Sequence, residues 1–141
     1  MQAGKYFMKR QEPIYADLDL ALTRNALSGD VGRFIDAQAI RRSILRVIKI
    51  RRFDIPYQSD KHAFVEEFLF DPASVATAAA LKDRVEYALK KMEPRATYKV
   101  DITPRSTDLS GEIQGYDLEI EFEVRSLGVK GVITDFLERA R

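Results

Sequence analysis

The side chains able to do chemistry in this chain are few and poorly grouped. Its one histidine, His62, follows Ser59 and Asp60. A serine and its base must converge from separate segments, and near neighbours in one loop do not give that geometry. No glycines frame Ser59 as they frame a nucleophile elbow. Carboxylates stand at Glu66, Glu67, Asp71 and Glu93. Glycoside hydrolysis needs two carboxyls roughly 5–9.5 Å apart across a cleft, one with a raised pKa. Glu66 and Glu67 are sequence neighbours, so on a helix they point in different directions. Cysteine is absent, which removes disulfides and thiolate metal sites. One histidine cannot build a His-rich metal centre. The expectation is a chain without catalytic residues, metal, cofactor or small-molecule substrate.

Three charged arrangements carry more information. Arg41, Arg42, Arg46, Lys49, Arg51 and Arg52 form a basic run. It lacks interleaved aromatics for base stacking, and the chain balances 23 Lys+Arg against 22 Asp+Glu for a net charge of +1. That balance argues against a dedicated nucleic-acid binder. Asp117, Glu119, Glu121 and Glu123 alternate with apolar residues, so all four leave one face of one strand. Like charges at that spacing repel, so the row needs cationic neighbours or open water. It does not converge on one point as a metal site must. Glu93-Pro94-Arg95 places opposite charges on either side of a rigid proline. Arg95 can fork onto a carboxylate, and Glu93 can take a cation.

These side chains are positioned by elements that the sequence pattern predicts. The 141 residues are 45% hydrophobic and 32% charged, enough for one core and too apolar for disorder. No apolar run approaches the ~20 residues of a membrane helix. Met1 to Arg10 lacks the apolar stretch of a secretory signal. Residues 1–30 read as an extended arm, within which 15–22 alternate as a short strand would. Asp36 is expected to cap a first helix whose stripe is Ile40, Ile44, Val47 and Ile48. A short helix over 61–70 follows, with Phe64 and Phe68 inward. Asp71-Pro72 predicts the start of a long helix that Pro94 ends, with Val75, Ala78, Leu81, Val85, Leu89 and Met92 inward. The period then changes from 3.6 to 2. Tyr98, Val100 and Ile102 alternate in a strand closed by Pro104, Gly111 and Gly115 sit at a loop tip, and Leu118, Ile120, Phe122 and Val124 alternate in a second strand. The tail 126–141 is expected to hold a helix near 133–140. The fold class is α+β: a small single domain over 1–141, two main helices packed on a sheet built from an antiparallel β-hairpin, with an extended N-terminal arm.

Several segments together resemble a known family. They are Tyr15-Ala-Asp-Leu-Asp-Leu, Leu27-Ser-Gly-Asp-Val leading into Ala39-Ile-Arg-Arg-Ser-Ile, Arg52-Phe-Asp-Ile-Pro-Tyr, Leu69-Phe-Asp-Pro, and Ala88-Leu-Lys-Lys-Met-Glu-Pro-Arg before an alternating strand pair. In this order, over about residues 15–125, the chain resembles the baseplate wedge subunit, or sheath initiator, of contractile-tail bacteriophages. That family is shared with R-type tailocins and the type VI secretion apparatus, and is often labelled lysozyme-like. One departure is Gln58-Ser-Asp-Lys-His, which has no glycine where the family usually has one. The tail beyond Ser126 matches no pattern.

The resemblance implies a structural role rather than an enzyme. Glu93, Pro94 and Arg95 would be the corner that docks on the bundle of other wedge proteins. The strand pair would offer its edge to the first ring of sheath subunits. Asp117, Glu119, Glu121 and Glu123 are then the candidate contact face for sheath or wedge. The tail tube is a further neighbour, and no membrane or nucleic acid is involved. The setting is a virion tail baseplate assembled in the host bacterial cytoplasm. The competing expectations are a peptidoglycan-degrading, lysozyme-like enzyme using Glu66, Glu67 or Glu93, and a nucleic-acid module using the basic helix.

Overall fold

A computed structural model describes residues 13–19, 21–51, 54–57, 63, 65–106 and 113–138. In chain order the elements are β1 (Ala16–Leu18), β2 (Arg33–Ile35), α1 (Ala37–Lys49), α2 (Val65–Leu69), α3 (Val75–Met92), β3 (Thr97–Ser106), β4 (Ile113–Val124) and β5 (Val129–Glu138). β1 and β2 form a two-stranded ribbon, and the other three strands form an antiparallel sheet in the order β3-β4-β5. The fold is α+β, as expected. His62, Ser59, Asp60, Phe64, Arg52 and Gly111 lie outside the described residues.

The core is one layer of helix on one face of the sheet. Leu118, Ile120, Phe122 and Val124 of β4 are all buried, with Val100 and Ile102 of β3 and Ile133 and Leu137 of β5 beside them. Ile40, Ile44, Val47 and Ile48 of α1 cover that face together with Ala78, Leu81, Val85, Ala88 and Leu89 of α3. Both helical stripes follow the predicted spacing, except that Val75 at the head of α3 is exposed.

The largest correction is β5. The 133–140 segment was expected to be helical, because Ile133, Phe136, Leu137 and Ala140 fall at spacings of three and four. It pairs instead with β4 along its length, from Val124↔Val129 to Gly115↔Glu138. The turn that permits this closes at Gly128, whose φ of 63° suits a residue without Cβ. Pairing satisfies the second edge of β4 and buries Ile133 and Leu137 at period two, which outweighs a weak helical pattern.

Smaller corrections concern starts and stops. Asp36 does not cap α1 with its side chain; its Oδ1 accepts from Ile14 N–H at 2.9 Å and Tyr15 N–H at 3.2 Å. It thereby fastens the ribbon to the head of the helix. α3 is capped by Ser74, which accepts from Thr77 N–H at 3.0 Å, not by Asp71, whose N–H is taken by Phe68 O in the turn after α2. α2 spans only Val65–Leu69. Pro104 lies inside β3 rather than closing it.

Gly115 lies within β4, not at a loop tip. A Cβ there would stand 2.5 Å from Leu137 O and 2.6 Å from Phe136 Cζ. The Phe136 ring occupies that space on the outer face, with the Arg105 guanidinium 5.3 Å from its centroid. Gly115→Ala must therefore displace main chain or ring, an overpacking effect of about 1–3 kcal/mol. A urea-unfolding midpoint unchanged in this variant would refute the close β4–β5 approach.

Candidate docking surfaces

The Glu93-Pro94-Arg95 corner is where α3 hands over to β3. Glu93 N–H still bonds Leu89 O at 2.8 Å, while its backbone has already left the helical region. Pro94 has no N–H and cannot continue the helix. The Glu93 side chain turns inward and is only 2% exposed, whereas that of Arg95 is 37% exposed. The Nε and Nη2 of Arg95 each donate to one oxygen of the Glu93 carboxylate, a bidentate fork across the proline. Ser43 of α1 and the Arg95 main chain add hydrogen bonds to the same carboxylate. The Tyr98 hydroxyl donates to Glu93 O at 2.5 Å.

Electrostatics follow from this packing. Burial pushes the Glu93 carboxyl up, but hydrogen bonds from Arg95 and Ser43 and the guanidinium charge outweigh it, so it sits below the ordinary glutamate range. The hydrogen bond to Glu93 raises Arg95 against the opposing effect of its partial burial. Burial, with the Glu93 charge nearby, raises Tyr98 well above the usual phenol range. The corner is an ionised, closed pair at neutral pH.

The ribbon is tied to the corner. The Tyr15 ring lies 5.0 Å from the Arg95 guanidinium, and its hydroxyl is 3.0 Å from Ser126 Oγ in the β4–β5 turn. On the other side of the ribbon's root, Arg42 of α1 stands 3.7 Å over the Phe34 ring and 3.2 Å from Asp19 Oδ1. Hydrogen bonds from Thr23 and Ala21 lower Asp19, with Arg42 adding to them and burial opposing. Sequence reasoning identified Glu93, Pro94 and Arg95 and missed Tyr15, Ser43, Tyr98, Ser126 and Asp36. Three of them carried a sequence signal: Tyr98 by its inward position in the alternation of β3, Tyr15 by opening the alternation of 15–22, and Asp36 by its cap-like place before α1.

The acidic row lies on the outer face of the sheet, away from the helices. Register sets Glu123 between Thr97 and Lys130, Glu121 between Lys99 and Val132, Glu119 between Asp101 and Thr134, and Asp117 between Thr103 and Phe136. The expected repulsion is largely answered by cations: Lys99–Glu121 at 3.3 Å, Lys130–Glu123 at 3.6 Å and Arg105–Asp117 at 3.0 Å. Glu119 faces a like charge, Asp101, whose own cation is Lys82 at 3.6 Å. The centre of this face is thus its most acidic part.

The sheet has two outer edges. β4 is central and closed to any added strand. β3 carries Pro104, and a proline within a strand turns its missing donor outward. β5 contains no proline, and among the described strands none pairs with its far edge.

The carboxylates weighed for hydrolysis are not brought together. Glu66 of α2 lines a groove with Ile50, Leu69, Phe70 and Asp135. There it pairs with Arg51 at 3.4 Å, and Asp135 pairs with Lys49 at 3.8 Å. Glu93 is not among the residues lining that groove. Among the described residues no group of three His, Asp or Glu side chains could hold a metal ion, and no helix is long and apolar enough to cross a membrane. Arg42, Lys49 and Arg51 of the basic run pair with Asp19, Asp135 and Glu66, while Arg41, Arg46, Lys49 and Arg51 all remain exposed.

No protein-family model and no curated protein matches the sequence. Solved structures do share the fold. A tail-lysozyme candidate from Geobacter sulfurreducens superposes with a TM-score of 0.59 at 19% identity, covering 72% of this chain and 89% of that one. A chain of the anti-feeding prophage baseplate, solved with sixfold symmetrisation, superposes with a TM-score of 0.59 at 14% identity, covering 90% of this chain and 87% of that one. The fold is therefore one shared with a chain of the anti-feeding prophage baseplate.

Proposed function

We propose that this chain is a structural, non-enzymatic subunit of the baseplate wedge of a contractile injection machine. It docks on the wedge core through Glu93, Pro94 and Arg95 and starts sheath assembly by accepting a strand at its sheet edge. The observation that carries this is the fold shared with the anti-feeding prophage baseplate chain over 90% of this chain, with the buried Glu93–Arg95 fork at the α3–β3 corner. Its partners would be other wedge proteins, the first sheath ring and the tail tube, and its place the tail baseplate assembled in the host cytoplasm.

Physical argument supports each surface. An ion pair with a buried carboxylate contributes little net stability, because desolvation offsets attraction; what it gives is a defined geometry. Strand addition needs an edge that keeps its backbone donors; β5 contains no proline where β3 has Pro104, although its Phe136 N–H is already taken by the Asp135 carboxylate at 3.0 Å. The acidic outer face beside that edge suits a basic neighbour and discourages a second copy of itself.

Two measurements test the reading. A cryo-EM reconstruction of the particle should place this chain between the wedge and the first sheath ring; a reconstruction that lacks it refutes the proposal. Purified chain should leave a peptidoglycan suspension turbid. Clearing that disappears in folded Glu66→Gln, Glu67→Gln or Glu93→Gln would establish the lysozyme reading instead.

A further inference from the structure

We infer that this chain associates with further copies of itself head to tail, the basic face of α1 in one copy against the acidic outer face of the sheet in the next. The inference names a basic neighbour for that outer face, and it stands for the isolated chain whether or not the wedge reading does. It starts from how the charges are sorted. α1 contains no acidic residue, and its buried positions, from Ala39 to Ile48, share one side. The opposite arc runs from Arg41 across Arg42 and Lys49 to Arg46. Arg42 and Lys49 have internal partners. Arg41 and Arg46 are exposed and have no ion-pair partner among the described residues.

The outer face of the sheet has the reverse imbalance. Lys99, Lys130 and Arg105 answer three of its carboxylates, which leaves Glu119 opposite Asp101 in the middle. Glu119 has no cation among the described residues. Asp101, Asp117 and Glu119 line a hollow with Thr103 and Thr134, and Val132 and Phe136 lie exposed on the neighbouring strand. The occupant follows from the same sorting. The two faces cannot meet within one molecule, because α1 packs on the inner face of the sheet and the acidic row leaves the outer one. The chain carries 23 Lys+Arg against 22 Asp+Glu, so the counter-charge for each face is on the chain itself, on its far side. Two outer faces repel each other, and so do two α1 faces. The contact is therefore heterologous, and it closes into a ring or runs on as an open stack. The aliphatic stems of the arginines, laid on Val132 and Phe136, add apolar contact to the charge pairing. A nucleic-acid backbone would satisfy α1 and leave the sheet face unanswered.

Sedimentation velocity of the purified full chain tests this. At low ionic strength the wild type should sediment as species larger than the monomer. It should return to monomer in about 1 M salt, where the Debye length is about 3 Å. Arg41→Glu with Arg46→Gln reverses the helix face; glutamine is used at 46 because an acid in the last turn opposes the helix dipole. Glu119→Lys reverses the centre of the sheet face and places a cation opposite Asp101. All three positions are exposed, so the Tm of each variant should stay close to that of the wild type. Each variant alone should associate about tenfold or more weakly, because a like-charge contact replaces an attractive one. Mixed in equal amounts the two should recover association, since the unchanged sheet face of one meets the unchanged helix face of the other. A wild type that stays monomeric at low salt, variants that associate as the wild type does, or a mixture no stronger than its parts overturns the inference. So does a large species that vanishes on nuclease treatment, which assigns the α1 face to nucleic acid. Absence of the chain from purified particles refutes the wedge reading and leaves this result untouched.

Discussion

Arg95→Ala should lower the unfolding free energy by about 2–4 kcal/mol at pH 7, and the loss should shrink in acid. The deficit comes from Glu93, left ionised and buried without its cation; the partial exposure of Arg95 keeps the figure below the full value for a wholly buried pair. The sign of the pH dependence follows from the two pKa directions. In the wild type the Glu93 carboxyl is held below its ordinary value of 4.5. Its pairing therefore stabilises the fold fully above that value, and the contribution fades as pH falls through the folded-state pKa. In the variant, burial without the guanidinium raises the same carboxyl. The folded variant then takes up a proton more readily than the unfolded chain, so acidification relieves it. Urea unfolding at pH 7 and pH 4 should show the gap between the two proteins narrowing. A gap of constant size would mean that Arg95 acts through its packing on Tyr15 instead of its charge.

That network shows where sequence reasoning succeeds and where it stops. The corner was legible because a proline between opposite charges at a period change has a local meaning. β4 was legible because its alternation is unbroken over eight residues, and α1 and α3 because their stripes bury, all but Val75 at the head of α3. The failures share one cause. Asp36 looks like a cap, and its carboxylate is instead claimed by Ile14 and Tyr15 N–H, 22 and 21 residues earlier. Ser74, not Asp71, caps α3, because the helix begins three residues later than Asp71-Pro72 suggests and Ser74 Oγ is the oxygen that meets Thr77 N–H. β5 carries a helical spacing, yet the open edge of β4 and the glycine turn at Gly128 draw it into the sheet. Ser43 and Ser126 join the network from distant segments with no periodic signal, and the alternation that opens at Tyr15 does not say what its side chain touches. Local chemistry proposes each of these roles, and tertiary competition assigns them.

Leu89→Ala should cost about 2–5 kcal/mol, the range for truncating a buried leucine where the cavity cannot fully collapse. Leu89 is 0% exposed in the cluster joining α3 to the sheet, and its carbonyl receives the Glu93 N–H that ends the helix. Val75 lies on the same predicted stripe but is 72% exposed, so Val75→Ala should stay within about 0.5 kcal/mol. At this chain length the leucine effect lowers Tm by several degrees per kcal/mol, about 6–15 °C in all. The pair of variants separates a stripe read from spacing from a stripe that is actually buried. The leucine variant also bears on docking. Leu89 does not reach the surface, so below its lowered Tm the variant should still assemble into particles, whereas Glu93→Gln with Arg95→Met should fail there while folded. A Leu89→Ala chain that is folded but excluded from particles would mean that docking reads the seating of the whole α3 C-terminus and not the Glu93-Pro94-Arg95 corner by itself.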